Sequence, residues 1–153
     1  MLPIRSQEDI VRVRQATRES AVAHGFSLVD QTKLVTAASD TVASEIGKAF
    51  GRTTWLVTTF RRVRPGTSGA VSLEGTAAGI VSAAVLASVA VWLGLMPSSS
   101  IALVVVAATI AALIEGALGA TLEDRGILNN DALNFVNALM GAGLAVAAAS
   151  MLA

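Results

Sequence analysis

Hydrophobic residues are concentrated in the second half of the chain, where they form three long stretches at positions 75–96, 101–122 and 132–153. The first stretch contains no charged residue, and the second contains one, Glu115. A helix of this length measures about 33 Å, enough to cross a hydrocarbon core of roughly 30 Å. Buried helices of a soluble protein are the alternative, but they normally carry a polar stripe that these stretches lack. The pattern predicts a mainly α integral membrane protein with about three transmembrane helices.

The first 74 residues mix polar and apolar positions and predict shorter elements. Residues 6–9 have the composition of a capping box, which would begin a helix that ends near Gly25. Asp30 is the predicted N-cap of a second helix that ends at Gly51. The apolar positions of this second helix are Leu34, Val35, Ala38, Val42 and Ile46.

The segment between the second helix and the first apolar stretch contains two signals. Residues 53–60 are rich in β-branched and aromatic side chains, so they predict a strand or an extended interfacial segment. Residues 65–69 read PGTSG and predict a turn. The chain before the membrane is therefore expected to form a small α/β or helical region.

The distribution of charge predicts the orientation of the chain in the membrane. Ten of the eleven Lys and Arg residues lie in residues 1–74, and the connection 97–100 has none. The positive-inside rule therefore places residues 1–74 in the cytoplasm, in a multi-pass protein of the inner (plasma) membrane. The loop 123–131 would return to the same side. The basic residues closest to the first apolar stretch are Arg52, Arg61, Arg62 and Arg64.

Two further features of composition limit the chemistry and the route of insertion. The chain contains no cysteine, which excludes disulfide bonds and cysteine-based metal or redox sites. Its N-terminus has no apolar core before the first charged residue, Arg5, so we expect no secretory signal. Insertion would then depend on the later apolar stretches.

Candidate ligands for a metal occur on the second predicted helix. Asp40 and Ser44 are four residues apart and share a helix face, whereas Glu45 lies about 140° round the axis from Asp40. A magnesium–phosphate site needs few protein carboxylates, because phosphate oxygens and water complete its coordination. From spacing alone, a solvated helix face is the better interpretation of these residues.

A second group of candidates lies near the predicted turn and in the loop 123–131. Glycines in residues 65–69 allow close backbone approach to an anion, beside Arg61 and Arg62. A turn whose arginines contact lipid phosphates is the alternative. In the loop, Asp131 is either part of a polar site or the N-cap of the third span. The polarity of this loop continues along one side of the third span at Asn134 and Asn137.

The apolar stretches themselves contain two kinds of exception. Glu115 lies about two thirds of the way through the second stretch, where an ionisable group is costly and usually faces a partner or a water-filled cavity. A hydrogen bond to a neighbouring helix is the other explanation. Small residues four positions apart predict close approach of helix backbones. These pairs are Gly75 and Gly79, Gly116 and Ala120, and Gly141 and Ala145.

The beginning of the chain resembles the RsbT-type switch kinases, small ATP-binding serine kinases of bacterial stress signalling. The resemblance rests on LPIRSQEDIVRVRQ at 2–15, GFSLVDQTK at 25–33 and VTAAS at 35–39. It ends where that family's magnesium-holding motif should read Glu-Leu-Ala-Arg-Asn, because Ser44 stands in place of the metal-ligating Asn. No later Asp-x-Gly-x-Gly motif follows. We therefore expect that this chain is not a working kinase of that type.

From residue 37 onward the chain resembles the integral membrane family known as domain-of-unknown-function family 92. That family includes transmembrane-protein-19-like proteins and plant phytyl-phosphate kinases. The resemblance rests on ASDTVASEIG at 38–47, TTFRRVRPGTSGAVSLEGT at 58–76 and LEDRGILNNDALNFVN at 122–137. Members usually have further membrane helices before the first of these blocks. The chain would then divide into an RsbT-like fragment (1–39), a cytoplasmic region (40–74) and a three-helix membrane region (75–153).

The second resemblance implies nucleotide-dependent phosphorylation of an isoprenoid or other lipid phosphate at the cytoplasmic face. It implies Mg²⁺ and CTP or ATP as cofactors, with Asp40 and Glu45 as metal ligands and Asp131 as a further catalytic residue. The lipid tail would lie between the spans. The residues expected to bind the nucleotide or other anionic oxygens are Arg61, Arg62, Gly66, Thr67, Gly69, Asn134 and Asn137.

Two other functions remain open at the level of sequence. The chain is alternatively a non-catalytic hybrid or truncated membrane protein, whose first 39 residues bind a partner in stress signalling. A transporter is a third class, and with three spans it would need to form an oligomer. Expected partners are membrane lipids, and a second copy or a subunit that supplies the missing helices; no nucleic acid is expected.

Overall fold

The computed structural model describes residues 27–123 and 125–152. Within these ranges the chain forms four long helices, α1 (Leu28–Phe50), α2 (Leu73–Trp92), α3 (Ser100–Leu118) and α4 (Asn130–Leu152). Three short strands, β1 (Thr54–Leu56), β2 (Arg62–Val63) and β3 (Ala70–Ser72), lie between α1 and α2. A π-helical turn, Gly119–Glu123, extends α3. The helix predicted before Gly25 lies outside the described residues.

Among the described residues, three helices are long and apolar enough to cross a membrane, as the sequence predicts. They are Leu73–Trp92, Ser100–Glu123 and Asn130–Met151. The first ends four residues earlier than predicted, because Gly94 adopts a left-handed conformation with φ 75°. The N–H groups of Gly94 and Leu95 bond back to the carbonyls of Val91 and Ala90, each at 2.9 Å. This is a Schellman ending, which stops a helix without leaving its last carbonyls unpaired.

Helix α1 begins at a capping box, although the predicted cap residue is wrong. Ser27 is the N-cap, and its hydroxyl accepts the Asp30 N–H at 3.4 Å, while the Ser27 N–H donates to the Asp30 carboxylate at 3.1 Å. Asp30 is thus the reciprocal partner and not the cap. The predicted end at Gly51 is confirmed, since its N–H donates to the Gly47 carbonyl at 3.0 Å. The helix runs without a break through the proposed junction at residue 39.

Most of the apolar positions noted on α1 are not fully buried. Val35 is buried, but Leu34 is 61% exposed, and Ala38, Val42 and Ile46 are half-buried. The other buried positions of α1 are polar: Gln31, Thr32, Thr36 and Ser39. The fully buried positions of α1 are therefore mainly polar.

The three strands form an antiparallel sheet in the order β2-β1-β3. Thr54 of β1 lies opposite both Val63 and Ser72, and its hydroxyl donates to the Val63 carbonyl. Of the predicted strand 53–60, only Thr54–Leu56 is extended, because the chain turns at Phe60, which has φ 53°. The sheet connects the end of α1 directly to the start of α2.

Helices α1 and α2 pack side by side in opposite directions. At one end, the Gln31 side-chain amide donates to the Leu95 carbonyl at 2.8 Å. Near the other end, a Cβ added to Gly79 would lie 2.9 Å from the Ala43 Cβ, so only glycine permits this approach. The close contact predicted for Gly75 and Gly79 is confirmed. The start of α1 and the connection 51–72 therefore lie at opposite ends of the bundle, although the sequence placed both on one side of the membrane.

Helix α4 packs against both α1 and α3. Gly141 of α4 lies against Thr36 of α1, where a Cβ would lie 3.0 Å from the threonine methyl carbon. Asn129 caps α4, because its side-chain oxygen accepts the Ala132 N–H at 2.8 Å. The interpretation of Asp131 as the N-cap is therefore wrong by two residues.

Candidate functional site

A cavity of about 340 Å³ lies at the end of the bundle that carries the sheet and the connection between α3 and α4. Every helix contributes to its wall, with the second half of α1, the first half of α2, the second half of α3 and the first turn of α4. Glycine-rich residues 66–69 form a further part of the wall. The cavity thus joins three regions that are far apart in the sequence.

Two acidic side chains from different helices meet in this cavity. The carboxyl groups of Asp40, on α1, and Glu115, on α3, lie within hydrogen-bonding reach of each other. Both residues are half-buried, and Glu123 is close enough to act electrostatically on Glu115. Facing carboxyl groups repel when both are charged, so an arrangement of this kind suits a shared proton or a bound cation.

A lysine at the edge of the cavity adds a positive charge near this pair. Lys48 lines the cavity and acts electrostatically on Asp40. Its ammonium group also contacts the exposed Glu45 carboxylate at 3.0 Å. Exposed pairs of this type exchange partners readily, so Lys48 is available to an anion that enters the cavity.

The glycine-rich turn is held close to α3. Gly66 and Gly69 have φ values of 86° and 72°, a left-handed conformation that favours glycine. A Cβ on Gly69 would lie 2.5 Å from the backbone nitrogen of Ala120. Gly116 likewise faces the connection 51–72, since its Cβ would lie 3.2 Å from a methyl group of Val57. Gly116 and Ala120 therefore pack against this connection. The sequence had predicted that they pack against another membrane helix.

The π-helical turn Gly119–Glu123 is the part of α3 that meets the glycine-rich turn. Gly119 is buried and lines the cavity together with Glu123. Single π-helical turns are rare and occur frequently at functional sites, because the extra residue changes the direction of nearby side chains. Here the turn places Glu123 on the same cavity wall as Glu115.

The start of α2 also faces the cavity. Ser72 is the N-cap of this helix, and its hydroxyl accepts the Gly75 N–H at 3.0 Å. Ser72, Gly75 and Thr76 all line the cavity. The N-terminus of a helix attracts anions, through its free N–H groups and the helix dipole.

The structure brings together part of the set of residues that the sequence proposed. Asp40, Gly66, Thr67 and Gly69 line the cavity. The other proposed residues lie outside its wall: Glu45, Arg61, Arg62, Asp131 and Asn134 are exposed, and Asn137 is buried between helices. Among residues 27–123 and 125–152, no group of three or more His, Cys, Asp and Glu residues is arranged to hold a metal ion.

Several cavity residues were not proposed as site residues from the sequence. Glu115 gave a clear signal, since it is the only charge in its apolar stretch, but nothing in the sequence identified Asp40 as its partner. Glu123 and Asn130 belong to the polar loop 123–131, which the sequence marked without naming them as site residues. Lys48 gave no signal, because isolated polar residues near helix ends are common. Ser39 lies in the run TAAS at 36–39, and nothing in that run indicated a site residue.

Two buried polar side chains lie deeper in the bundle. Asn137 is 1% exposed and Thr36 is 0% exposed. Neither the amide atoms of Asn137 nor the hydroxyl oxygen of Thr36 has a hydrogen-bond partner within the part of the chain that the structure describes. Thr36 lies against Gly141, and counting one turn along each antiparallel helix places Asn137 level with Asp40. Buried polar groups without partners are uncommon and often mark a bound water, ion or ligand.

Comparison with known proteins gives one family and three relatives. The family described as integral membrane protein DUF92 matches residues 9–142. Protein VTE6, chloroplastic, from Arabidopsis thaliana is 45% identical over 130 residues, which cover 83% of this chain and 39% of that protein. The uncharacterized membrane protein sll0875 from Synechocystis is 43% identical over 126 residues, covering 82% and 47%. The uncharacterized membrane protein MJ0933 from Methanocaldococcus jannaschii is 34% identical over 111 residues, covering 72% and 46%.

These matches bear on the extent of the chain and on its first residues. The chain spans less than half the length of each of the three relatives. No solved structure matches it. The family match begins at residue 9 and so includes most of the segment that resembles switch kinases. None of these matches supports a relationship of that segment to switch kinases.

Proposed function

Because the chain belongs to the integral membrane protein family DUF92, we propose that it forms the phosphate-binding part of a lipid-phosphate kinase. The observation that carries the proposal is the pairing of Asp40 and Glu115 in a cavity whose wall includes the glycine-rich turn. The sequence resemblance to phytyl-phosphate kinases supports an isoprenoid phosphate as the substrate. Since the chain spans less than half of each relative, helices from a longer protein, a second copy or a subunit would complete the enzyme.

The donor set of the cavity fits Mg²⁺. Magnesium is usually bound by one or two carboxylates, together with substrate phosphates and water. Asp40 and Glu115 would hold the ion from opposite helices, and the exposed Glu45 would not take part. When bound, Mg²⁺ neutralises charge on the oxygens of the transferring phosphoryl group.

The surroundings of the carboxyl pair suit the phosphates of CTP or ATP. The glycine-rich turn allows close backbone approach, the start of α2 presents N–H groups, and Lys48 adds a positive charge at the edge. Phosphoryl transfer depends mostly on positioning and charge neutralisation, and these groups supply both. Arg61 and Arg62, exposed beside the cavity, suit contact with lipid phosphates at the membrane surface.

The cavity also has an apolar side that suits a lipid tail. Ile80 on α2 and Leu113 on α3 line it and are each 40% exposed. These residues belong to two of the helices that are apolar enough to cross a membrane. An isoprenoid chain would therefore lie between α2 and α3, while its phosphate reaches the polar end of the cavity.

The test measures transfer of labelled phosphate from Mg-CTP or Mg-ATP to phytyl phosphate, by protein purified in detergent. We expect Asp40→Asn and Glu115→Gln each to reduce transfer at least about 100-fold, since even indirect partners of metal ligands typically contribute 10- to 100-fold. Glu45→Gln is the matched control, because this carboxylate lies outside the cavity. It should retain nearly full activity.

Binding of Mg-nucleotide is measured separately from phosphate transfer, because a chain that forms only part of the enzyme can bind the nucleotide without transferring its phosphate. We expect Mg-nucleotide to raise the thermal stability of the wild-type protein and of Glu45→Gln, but not of Asp40→Asn. Equal stabilisation of all three proteins would refute the role of Asp40. No stabilisation and no transfer by any of them would refute the kinase proposal.

A further inference from the structure

In its first half, α1 has the reverse of the polar distribution on a helix of a soluble protein. There its buried side chains are mainly polar, whereas its exposed positions carry Leu34, at 61% exposure, and Ala37. Two of the polar groups are satisfied within the helix: the Thr32 hydroxyl donates to the Leu28 carbonyl at 2.7 Å, and the Ser39 hydroxyl to the Thr36 carbonyl at 3.0 Å. A half that is apolar outside and polar inside suits surroundings of lipid. The exposed positions of the second half are mainly polar, and two of them, Ser44 and Lys48, line the cavity.

The ends of α1 coincide with the ends of an apolar span. Its 23 residues measure about 34 Å, enough to cross a bilayer. Gln31 reaches the Leu95 carbonyl just beyond the end of α2, and Gly47 lies against Gly75 near its beginning. The charged residues of α1 other than Asp40 lie near its two ends, at Asp30, Lys33, Glu45 and Lys48.

The surface of α2 that α1 covers runs the length of that span. Its buried positions are small residues spaced three or four apart: Gly75, Gly79, Ala83, Ala87 and Ala90. Val35 of α1 belongs to the same buried cluster as Ala83, Ala87 and Ala90, while Ala43 lies against Gly79. A helix that packs along the whole of a membrane span must itself lie at the same depth.

We propose that α1 is a fourth membrane crossing. Because α1 crosses, its N-cap Ser27 lies on one side of the membrane and the glycine-rich turn lies on the other. Asp40, the thirteenth residue of α1, then lies near the middle of the bilayer, and the cavity is a polar pocket within the membrane that opens toward the side of the turn.

Single-cysteine labelling tests this directly, because the chain has no native cysteine. The full chain is placed in sealed membrane vesicles and treated with a membrane-impermeant maleimide from the outside, then in vesicles of the opposite orientation. Ser98→Cys, in the exposed connection between α2 and α3, marks one side. Thr58→Cys, exposed after β1, marks the other. We expect Ser27→Cys and Ser98→Cys to be labelled in the same vesicle preparation, and Thr58→Cys to be labelled in the preparation of opposite orientation.

A second labelling position is used because Ser27→Cys removes the N-cap of α1 and so weakens the start of this helix. His24→Cys lies before that cap and should show the same sidedness. If both variants react together with Thr58→Cys, the proposal is overturned, because α1 then begins and ends on the same side.

The middle of α1 provides an independent check. Leu34→Cys should not react with the impermeant reagent from either side, and it should react after solubilisation in sodium dodecyl sulfate. Val85→Cys is the matched control, because Val85 is 56% exposed on an apolar span. Reaction of Leu34→Cys in intact vesicles, with Val85→Cys protected, would show that this face of α1 meets water and would overturn the proposal. None of these outcomes depends on kinase activity.

Discussion

Helices α1 and α2 lie side by side over their whole lengths, but they bury different kinds of residue. Helix α2 buries glycine and alanine, and it exposes large apolar side chains such as Val81 and Trp92. Helix α1 buries mainly threonine, serine and glutamine, and it exposes Leu34. In the interior of a membrane bundle, small size and internal hydrogen bonding decide which residues are buried, because lipid is as apolar as the core. Of the buried polar residues of α1, Ser39 lines the cavity, to which the same helix brings Asp40.

The largest expected effect comes from filling a close contact between these two helices, at Gly79. A Cβ added to Gly79 would alone lie 2.9 Å from the Ala43 Cβ and 3.2 Å from the Ser39 carbonyl oxygen. Gly79→Leu adds further side-chain atoms beyond that Cβ. Overpacking of this kind typically costs 1–3 kcal/mol, and more where backbone must move. We expect the yield of monodisperse protein and the melting temperature in detergent both to fall strongly.

Gly143→Leu is the matched control for that substitution. Gly143 also lies on a helix, and an added Cβ there meets no atom within 4 Å. Its melting temperature should stay the same or rise, because leucine favours a helix more than glycine does. If Gly79→Leu is as stable as Gly143→Leu, then α1 and α2 do not pack as described.

A smaller effect is expected from removing an unpaired polar group beside the cavity. Asn137→Leu has similar volume and lacks the amide, which has no hydrogen-bond partner within the described residues. Burying an unpaired polar group costs about 1–3 kcal/mol by mutational data, so its removal should raise the melting temperature of the ligand-free protein. A lower melting temperature would instead show that a bound water or ligand pairs with the amide. Asn134→Leu, at an exposed position on the same helix, is the control and should change stability little.

The smallest effect concerns the two helix caps. Ser27 caps α1 at an exposed position, and Ser72 caps α2 where it is 4% exposed. Ser27→Ala should lower the stability by about 0.5–1 kcal/mol, and Ser72→Ala by somewhat more, because its loss leaves a buried N–H without a partner. Thermal unfolding of the two variants in detergent compares them. A larger loss for Ser27→Ala would contradict this ranking.

Local properties of the sequence determined much of the fold. Length and hydropathy identified three spans within a few residues, because each is apolar over enough length to cross a bilayer whatever its neighbours are. Glycines marked the end of α1 and the turn at 66–69, since left-handed backbone and close approach depend on the residue itself. Asp40 and the glycine-rich turn were proposed as site residues, and the structure places both on one cavity wall.

Only the tertiary structure decided which polar residues meet. Helix geometry alone separates Asp40 and Glu45 by about 140°, but the helices around α1 decide which of the two is covered, so Asp40 faces Glu115 and Glu45 faces away. The average hydropathy of α1 is low because both its buried positions and the exposed positions of its second half are mainly polar. The hydropathy of a helix depends only on which residues it contains, whereas the neighbouring helices determine which of those residues are buried.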